Sequence, residues 1–159
     1  MKQIPQLDQI DCDILRHLQA HAKLTNAQMA QDIGLSPAAT LERVRRLENQ
    51  GVIEGYHAKL NPTQLALCTC VMLHVTLQHL STASVAAFQK TMTRIPEVVE
   101  CHQVVGDADF LVKVIASDIV AYQQVVMHHF SAVEGIQHMK AFVITATLKE
   151  AGITVMPHT

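Results

Sequence analysis

Three arginines on one predicted helix are the first candidates for binding chemistry. Arg43 and Arg46 are three residues apart, so they share a helix face, and Arg45 lies close by. Guanidinium groups neutralise phosphates and can make paired hydrogen bonds to guanine. Small residues precede the arginines, and a small end lets a helix approach the edges of DNA bases. The candidate DNA-binding residues are Ser36, Pro37, Thr40, Arg43, Arg45 and Arg46. The alternative is an ordinary surface helix with a solvated arginine face.

A second candidate site is the short sequence VGDAD at residues 105–109. Backbone N–H groups around Gly106 suit a carboxylate, and Asp107 or Asp109 can accept hydrogen bonds from an ammonium group. The alternative is a plain hairpin turn, because glycine and aspartate are common turn residues.

The arginine helix is predicted to be the last of three. Residues 8–22 and 26–33 have apolar residues at helical spacing, and Gly34 can form the tight turn that follows them. Asp8, Thr25 with Gln28, and Ser36 are suitable N-terminal caps. Pro37 fits the first position of the third helix, and Gly51 fits its end. Leu41, Val44 and Leu47 are predicted to form its buried stripe. This is the pattern of a helix-turn-helix unit with a supporting helix.

Two short β-like segments follow between residues 52 and 58, separated by Gly55. They predict a small hairpin, the wing of a winged helix. Asn61-Pro62 then interrupts the pattern. We therefore predict a winged helix-turn-helix domain over residues 1–61, a linker over 62–67, and a second domain over 68–159.

The second domain alternates in the order β-α-β-β-α-β, which predicts a ferredoxin-like sandwich and an α+β fold overall. The predicted strands are 68–78, 97–105, 109–116 and 136–148, and the predicted helices are 82–94 and 118–130. Both helices lie on one face of such a sheet. Apolar residues on both alternations predict that another subunit buries the second face. These residues are Val71, Leu73, Val75, Val112, Val114, Phe142 and Ile144.

Composition narrows the class of protein. The net charge is −2, and residues 1–61 carry seven basic and seven acidic side chains, so any DNA affinity must come from clustered charge. Nothing in the sequence predicts a membrane span or a signal peptide, and the four cysteines then fit a reducing cytoplasm. Cys68, Cys70, Cys101 and His102 are weak metal candidates, and buried thiols are the favoured interpretation. No catalytic motif appears, so we expect neither an enzyme nor a cofactor.

Two runs carry a family resemblance: LSPAATLERVRRLENQGVIEGYHAKLNP and ECHQVVGDADFLVK. Together they resemble the Lrp/AsnC, or feast/famine, transcriptional regulators over about residues 7–148. The resemblance implies a DNA-binding winged helix and a ferredoxin-like domain that forms homodimers and higher rings, often octamers. It also implies that a small molecule, usually an amino acid, binds between dimers near the glycine turn.

On this resemblance, the effector-binding residues are Gln103, Val105, Gly106, Asp107, Asp109 and Gln137. Many members have hydroxyl residues where this chain has Met139 and Ala141. Two functions therefore stay open. One is a sequence-specific regulator that binds double-stranded DNA and responds to an amino acid. The other is an architectural DNA-binding protein of the same fold that needs no effector. A ferredoxin-like enzyme with a helical appendage is the weaker alternative.

Overall fold

The computed structural model describes residues 5–21, 23–131 and 133–157, which form two compact units. The first contains residues 5–60 together with the tail at 149–157, and the second contains residues 61–148. The predicted second domain, residues 68–159, includes this tail, whereas its contacts lie in the first unit. Val155 packs against the helical core, and Lys59 Nζ lies 2.8 Å from a carboxylate oxygen of Glu150.

The first unit contains the three predicted helices: α1 (Gln9–Ala20), α2 (Asn26–Ile33) and α3 (Pro37–Asn49). The predicted caps are confirmed. Asp8 and Thr25 each form a capping box with the residue three positions later, and the Ser36 hydroxyl accepts from the Ala39 N–H. Ala22 of the predicted first helix lies outside the described residues. The core of this unit is built from Ile14, Leu15, Met29 and Leu47.

Two contacts fix the start of α3 beside α2. Gly34 has φ +71°, the left-handed conformation expected of the turn, and its N–H donates to the carbonyls of Ala30 and Gln31. The Asn26 side chain donates to the Pro37 carbonyl over 2.7 Å. The direction of α3 is therefore set by the end of one helix and the beginning of another.

The predicted wing hairpin is not formed in residues 53–60 of this chain, which have no regular secondary structure. A two-stranded hairpin is marginally stable alone, and this segment has Gly55 in its middle. It is held to α3 by the Tyr56 hydroxyl, which donates to Glu48 Oε1 over 2.9 Å. Burial and this carboxylate raise the pKa of Tyr56 to about 12, so the phenol stays a donor at neutral pH.

The second unit is the predicted antiparallel sheet with two helices. Its strands are β1 (Thr69–Leu77), β2 (Val98–Gln103), β3 (Phe110–Ala116) and β4 (Ile136–Val143), in the spatial order β2-β3-β1-β4. The helices are α4 (Thr82–Met92) and α5 (Ile119–Val125), and α5 continues into a π-helical turn, Val126–Phe130. This is the ferredoxin-like order. Ile119 is exposed, whereas Tyr122, Val125 and Phe130 are buried in the core.

The seven apolar residues named on the two alternations divide between the two faces of the sheet. Five of them lie under the helices: Val71, Leu73, Val75, Val112 and Val114 are fully buried. Phe142 pairs with Met72, which projects to the opposite face. That face also carries polar groups, including Lys113, whose Nζ is 2.7 Å from Glu100 Oε1. Alternation along a strand separates two faces but does not say which face the helices cover.

In the described part of the chain, no helix combines the length and apolarity that a membrane crossing requires.

We predict that Gly34→Ala destabilises the first unit by about 1–2 kcal/mol, the cost of a left-handed conformation for a residue with a Cβ. Nothing lies within 4 Å of the added Cβ, so the effect comes from the backbone and not from a clash. Thermal unfolding measures it. Gly34→Asn is the matched control, because asparagine tolerates this conformation and should lose much less. Equal losses in the two variants would contradict the explanation.

Candidate DNA-binding helix and ligand-binding turn

One side of α3 is fixed by packing. Leu47 and Thr40 are fully buried, and the Thr40 hydroxyl donates to the carbonyl of Ser36 over 3.1 Å. Ser36 itself uses its hydroxyl oxygen as the helix cap. Two of the predicted DNA-binding side chains therefore have structural bonds within the helix, and the Thr40 side chain reaches no solvent.

Arg43 and Arg46 point to the same side of α3 and bind one carboxylate. Asp11 of α1 is 1% exposed. Its Oδ1 lies 2.9 Å from Arg43 Nη1, and both of its oxygens lie 2.6 Å from Arg46 Nη2. Arg43 Nη1 is also 2.7 Å from Asp8 Oδ2. We call these four residues, Asp8, Asp11, Arg43 and Arg46, the α1–α3 ion cluster.

The cluster provides the partners that the buried carboxylate of Asp11 needs. A carboxylate removed from water needs counter-charge and hydrogen bonds, and Asp11 has two guanidinium partners. Asp11 Oδ2 also accepts from the Asp8 N–H over 3.2 Å. The hydrogen bond from Arg43 lowers the pKa of Asp8, and the same bond raises the pKa of Arg43. Asp8 and Arg43 are therefore both charged at neutral pH.

The remaining predicted DNA-binding residues are exposed. Pro37 is exposed at the first position of α3, and Arg45 is exposed without an ion pair to any residue that the structure describes. Leu41 was assigned to the buried stripe, and this prediction is wrong, because its side chain is 39% exposed. Arg45 therefore projects from a side of α3 that the α1–α3 ion cluster does not use.

The role of Asp8 and Asp11 in holding α3 was not predicted from the sequence. Asp8 was predicted only as a helix cap. A signal was present, because Asp8 and Asp11 are three residues apart on one helix and Arg43 and Arg46 are three apart on another. Such matched spacing lets two acidic and two basic side chains meet across a helix crossing.

The second candidate site is the turn between β2 and β3. Val105, Gly106 and Asp107 are exposed, and Ala108 is buried beneath them. Among the described residues, none makes a hydrogen bond or ion pair with the Asp107 carboxylate. This turn therefore offers a free carboxylate and exposed backbone to a ligand.

Asp109 has a different role from Asp107. Its Oδ2 accepts from the Leu77 N–H over 2.7 Å, and its own N–H donates to the Val75 carbonyl over 3.0 Å. Its carbonyl also accepts from the Val104 N–H over 2.9 Å. Asp109 therefore ties the turn to the end of β1.

Gln103 and Gln137 lie at the same end of the sheet but on opposite edge strands. Gln103 is the last residue of β2, and Gln137 is the extra residue of a bulge in β4. β3 and β1 separate these strands, so the two residues are about 14 Å apart at the usual spacing between strands. A single amino acid cannot contact both glutamines of one chain.

The weak metal candidates do not converge. Cys101 pairs with Val112 and shares its face, whereas Cys70 pairs with Ile115 on the other. Within the described ranges, no group of three or more histidine, cysteine or acidic side chains could hold a metal ion.

Comparison with known proteins identifies both units. The family model described as the Lrp/AsnC ligand binding domain matches residues 70–153, and a winged helix-turn-helix DNA-binding model matches residues 7–54. The chain belongs to the Lrp/AsnC family. The leucine-responsive regulatory protein of Escherichia coli K12 is 35% identical, over 94% of this chain and 92% of that protein. This Lrp/AsnC chain is therefore a DNA-binding transcriptional regulator with a ligand-binding domain.

Solved structures agree with this assignment. A transcriptional regulator from Neisseria meningitidis in complex with L-Met is 26% identical with a TM-score of 0.86, over 91% of this chain and 94% of that one. An AsnC family transcriptional regulator from Agrobacterium tumefaciens is 28% identical with a TM-score of 0.87, over 95% and 97% of the two chains. Both support the α+β fold with its helix-turn-helix and ferredoxin-like units.

We predict different effects from removing the two aspartates of the turn. Asp109→Ala leaves the Leu77 N–H without its charged acceptor and should lower the free energy of unfolding by about 1.5–3 kcal/mol. Asp107→Ala, two residues away on the exposed turn, is the matched control and should change it by less than about 0.5 kcal/mol. Urea unfolding measures both. Equal destabilisation would show that Asp109 is not the tether.

We also predict an acid dependence from Asp8. Its folded pKa lies below the ordinary value of 3.8, so its pairing stabilises the fold above that pH. This contribution is lost as the pH falls through the lowered pKa. Asp8→Asn should therefore be less stable at neutral pH and lose less stability between about pH 5 and pH 2. Thermal unfolding across this range tests it, and identical pH slopes in the two proteins would refute it.

Proposed function

We propose that this regulator binds duplex DNA through α3 and responds to an amino acid bound at the Gly106 turn. The exposed Asp107 carboxylate is the observation that carries the second part. It lies beside backbone that can hydrogen-bond a carboxylate, and these two groups complement the ammonium and carboxylate of an amino acid. The L-Met complex of the Neisseria meningitidis relative supports this ligand class.

The amino acid is proposed to bind between subunits. Gln103 and Gln137 are too far apart in one chain to meet the same small ligand. A second copy can place its Gln137 against the turn of the first and complete the site. The assembly we propose is a homodimer that associates further, and an octamer is the expected ring. The open face of the sheet, with exposed Phe142, supplies surface for the contact between copies.

The response to the amino acid requires different affinities for different assemblies. A ligand shifts an equilibrium only by the difference in its binding free energy between two states. A ligand that bridges two chains binds the assembled state better than separate chains. Binding would thereby change how many helix-turn-helix units are presented to DNA together, and so change promoter occupancy.

The architectural alternative rests on Met139 and Ala141. Met139 pairs with Val75 and packs against the core of the second unit, so its side chain completes the fold. Packing in the core explains why a methionine is present at position 139. Its presence does not require that the effector site has been lost. The structure thus gives no observation that favours the effector-independent function.

We predict that calorimetric titration with the amino acids finds at least one ligand at micromolar to millimolar concentration. Asp107→Ala should abolish its heat while leaving the melting temperature of the apoprotein unchanged. Light scattering with and without this ligand should show a change in assembly size. Asp107→Asn is the control that keeps the shape and removes the charge, and it should weaken binding strongly. Unaltered ligand affinity in both variants would exclude the Gly106 turn as the site.

A further inference from the structure

The surface of α3 that faces away from α1 forms one continuous stripe. Ala38, Leu41, Glu42, Arg45 and Asn49 follow the spacing of adjacent positions on one side of a helix, and all five are exposed. Together with Arg46 and Gln50, they line a shallow depression of about 570 Å³. We call the five residues the outer stripe. It contains two apolar side chains, an acid, a base and an amide.

We propose that the outer stripe reads the DNA bases and that Arg43 and Arg46 position α3 without contacting DNA. This inference rests on the proposed function of α3. Charge alone would assign all three arginines to DNA. Arg43 and Arg46, however, are already bound to Asp11 at 2.6–2.9 Å. Moving either one to a phosphate would leave the buried carboxylate short of a partner, a large penalty.

Each side chain of the outer stripe fits a group on the base edges of the major groove. Arg45 can donate two hydrogen bonds to guanine, and the Glu42 carboxylate can accept from the amino group of cytosine. Ala38 and Leu41 can contact thymine methyl groups. Glu42 also repels phosphates, so it disfavours binding to the backbone alone and favours a matched sequence.

Arg43, Arg46 and Asp11 act on DNA only through the orientation of α3. Removing the Asp11 carboxylate frees Arg46, leaves Arg43 bound to Asp8 alone, and loosens the packing of α3 on α1. A looser helix loses part of every base contact at once. Removing a side chain of the outer stripe loses one contact and leaves the others in place. Loss of positioning therefore weakens the preference at every base position, whereas loss of one contact changes it at a single position. A purely structural effect would not change the preference at one position alone.

The test is selection of duplexes from a random library by the full-length chain, followed by affinity and salt titrations on the selected DNA. Glu42→Gln and Arg45→Gln should each change the preferred base at one position in each half-site, by roughly tenfold. Arg45→Gln should not alter the melting temperature. Asp11→Asn should lower affinity for the selected duplex, flatten the preference at all positions, and lower the melting temperature. Asp13→Asn is its matched control, because it removes the same charge from an exposed position on α1 and should leave base preference unchanged.

A second comparison separates contact from positioning. In the otherwise wild-type chain, Arg46→Gln should lower affinity and the melting temperature but leave the slope of log affinity against log salt unchanged, because Asp11 holds Arg46 away from the phosphates. If Arg46 binds a phosphate, Asp11→Asn would raise affinity instead, and Arg46→Gln would lower the salt slope by about one ion. That result, or unchanged base preference in Glu42→Gln and Arg45→Gln, would overturn the proposal. Failure of the wild-type chain to select any duplex would instead refute the function proposed for α3.

Discussion

The buried carboxylate of Asp11 is the constraint on which the DNA-binding unit depends. A charge taken out of water must be matched by partners in fixed positions, and here both partners come from α3. Two guanidinium groups are anchored by one carboxylate on another helix. The rotation of α3 about its own axis is fixed as a result, and with it the side chains that face outward.

In the ligand-binding unit, too, side chains of the same type have different roles. Asp107 and Asp109 are two residues apart and chemically identical, yet only Asp107 is free. The carboxylate of Asp109 accepts from the backbone N–H of Leu77 at the end of β1. In the first unit, Arg43 and Arg46 likewise bind Asp11, whereas Arg45 is exposed.

Local signals were read correctly from the sequence. The caps Asp8, Thr25 and Ser36 and the left-handed Gly34 act over three or four residues, so the chain specifies them without tertiary context. The βαββαβ order was also predicted correctly. The spacing of apolar residues changes between helical and alternating periods, and turn residues separate the segments.

The side of each helix and strand that is buried could not be predicted in the same way. Neighbouring residues on a helix point about 100° apart, so Thr40 and Leu41 compete for the core, and only packing against the other helices decides between them. Threonine is buried and leucine is exposed, the opposite of what hydrophobicity suggests. On the sheet, Val112 and Phe142 look equivalent as apolar residues of alternating strands, but only the contacts of α4 and α5 show which face is covered. Asp11 pairs with Arg43 and Arg46 across more than thirty residues of chain. The matched three-residue spacings allow such a pairing, but they do not show that these two helices pack together.

The most direct test is a crystal structure of this regulator bound to a selected DNA duplex. The account predicts that Arg43 and Arg46 remain within hydrogen-bonding distance of Asp11, while Arg45 and Glu42 contact base edges in the major groove. If Arg43 or Arg46 has left Asp11 to bind phosphates or bases, or if the outer stripe faces solvent in the complex, the account is contradicted.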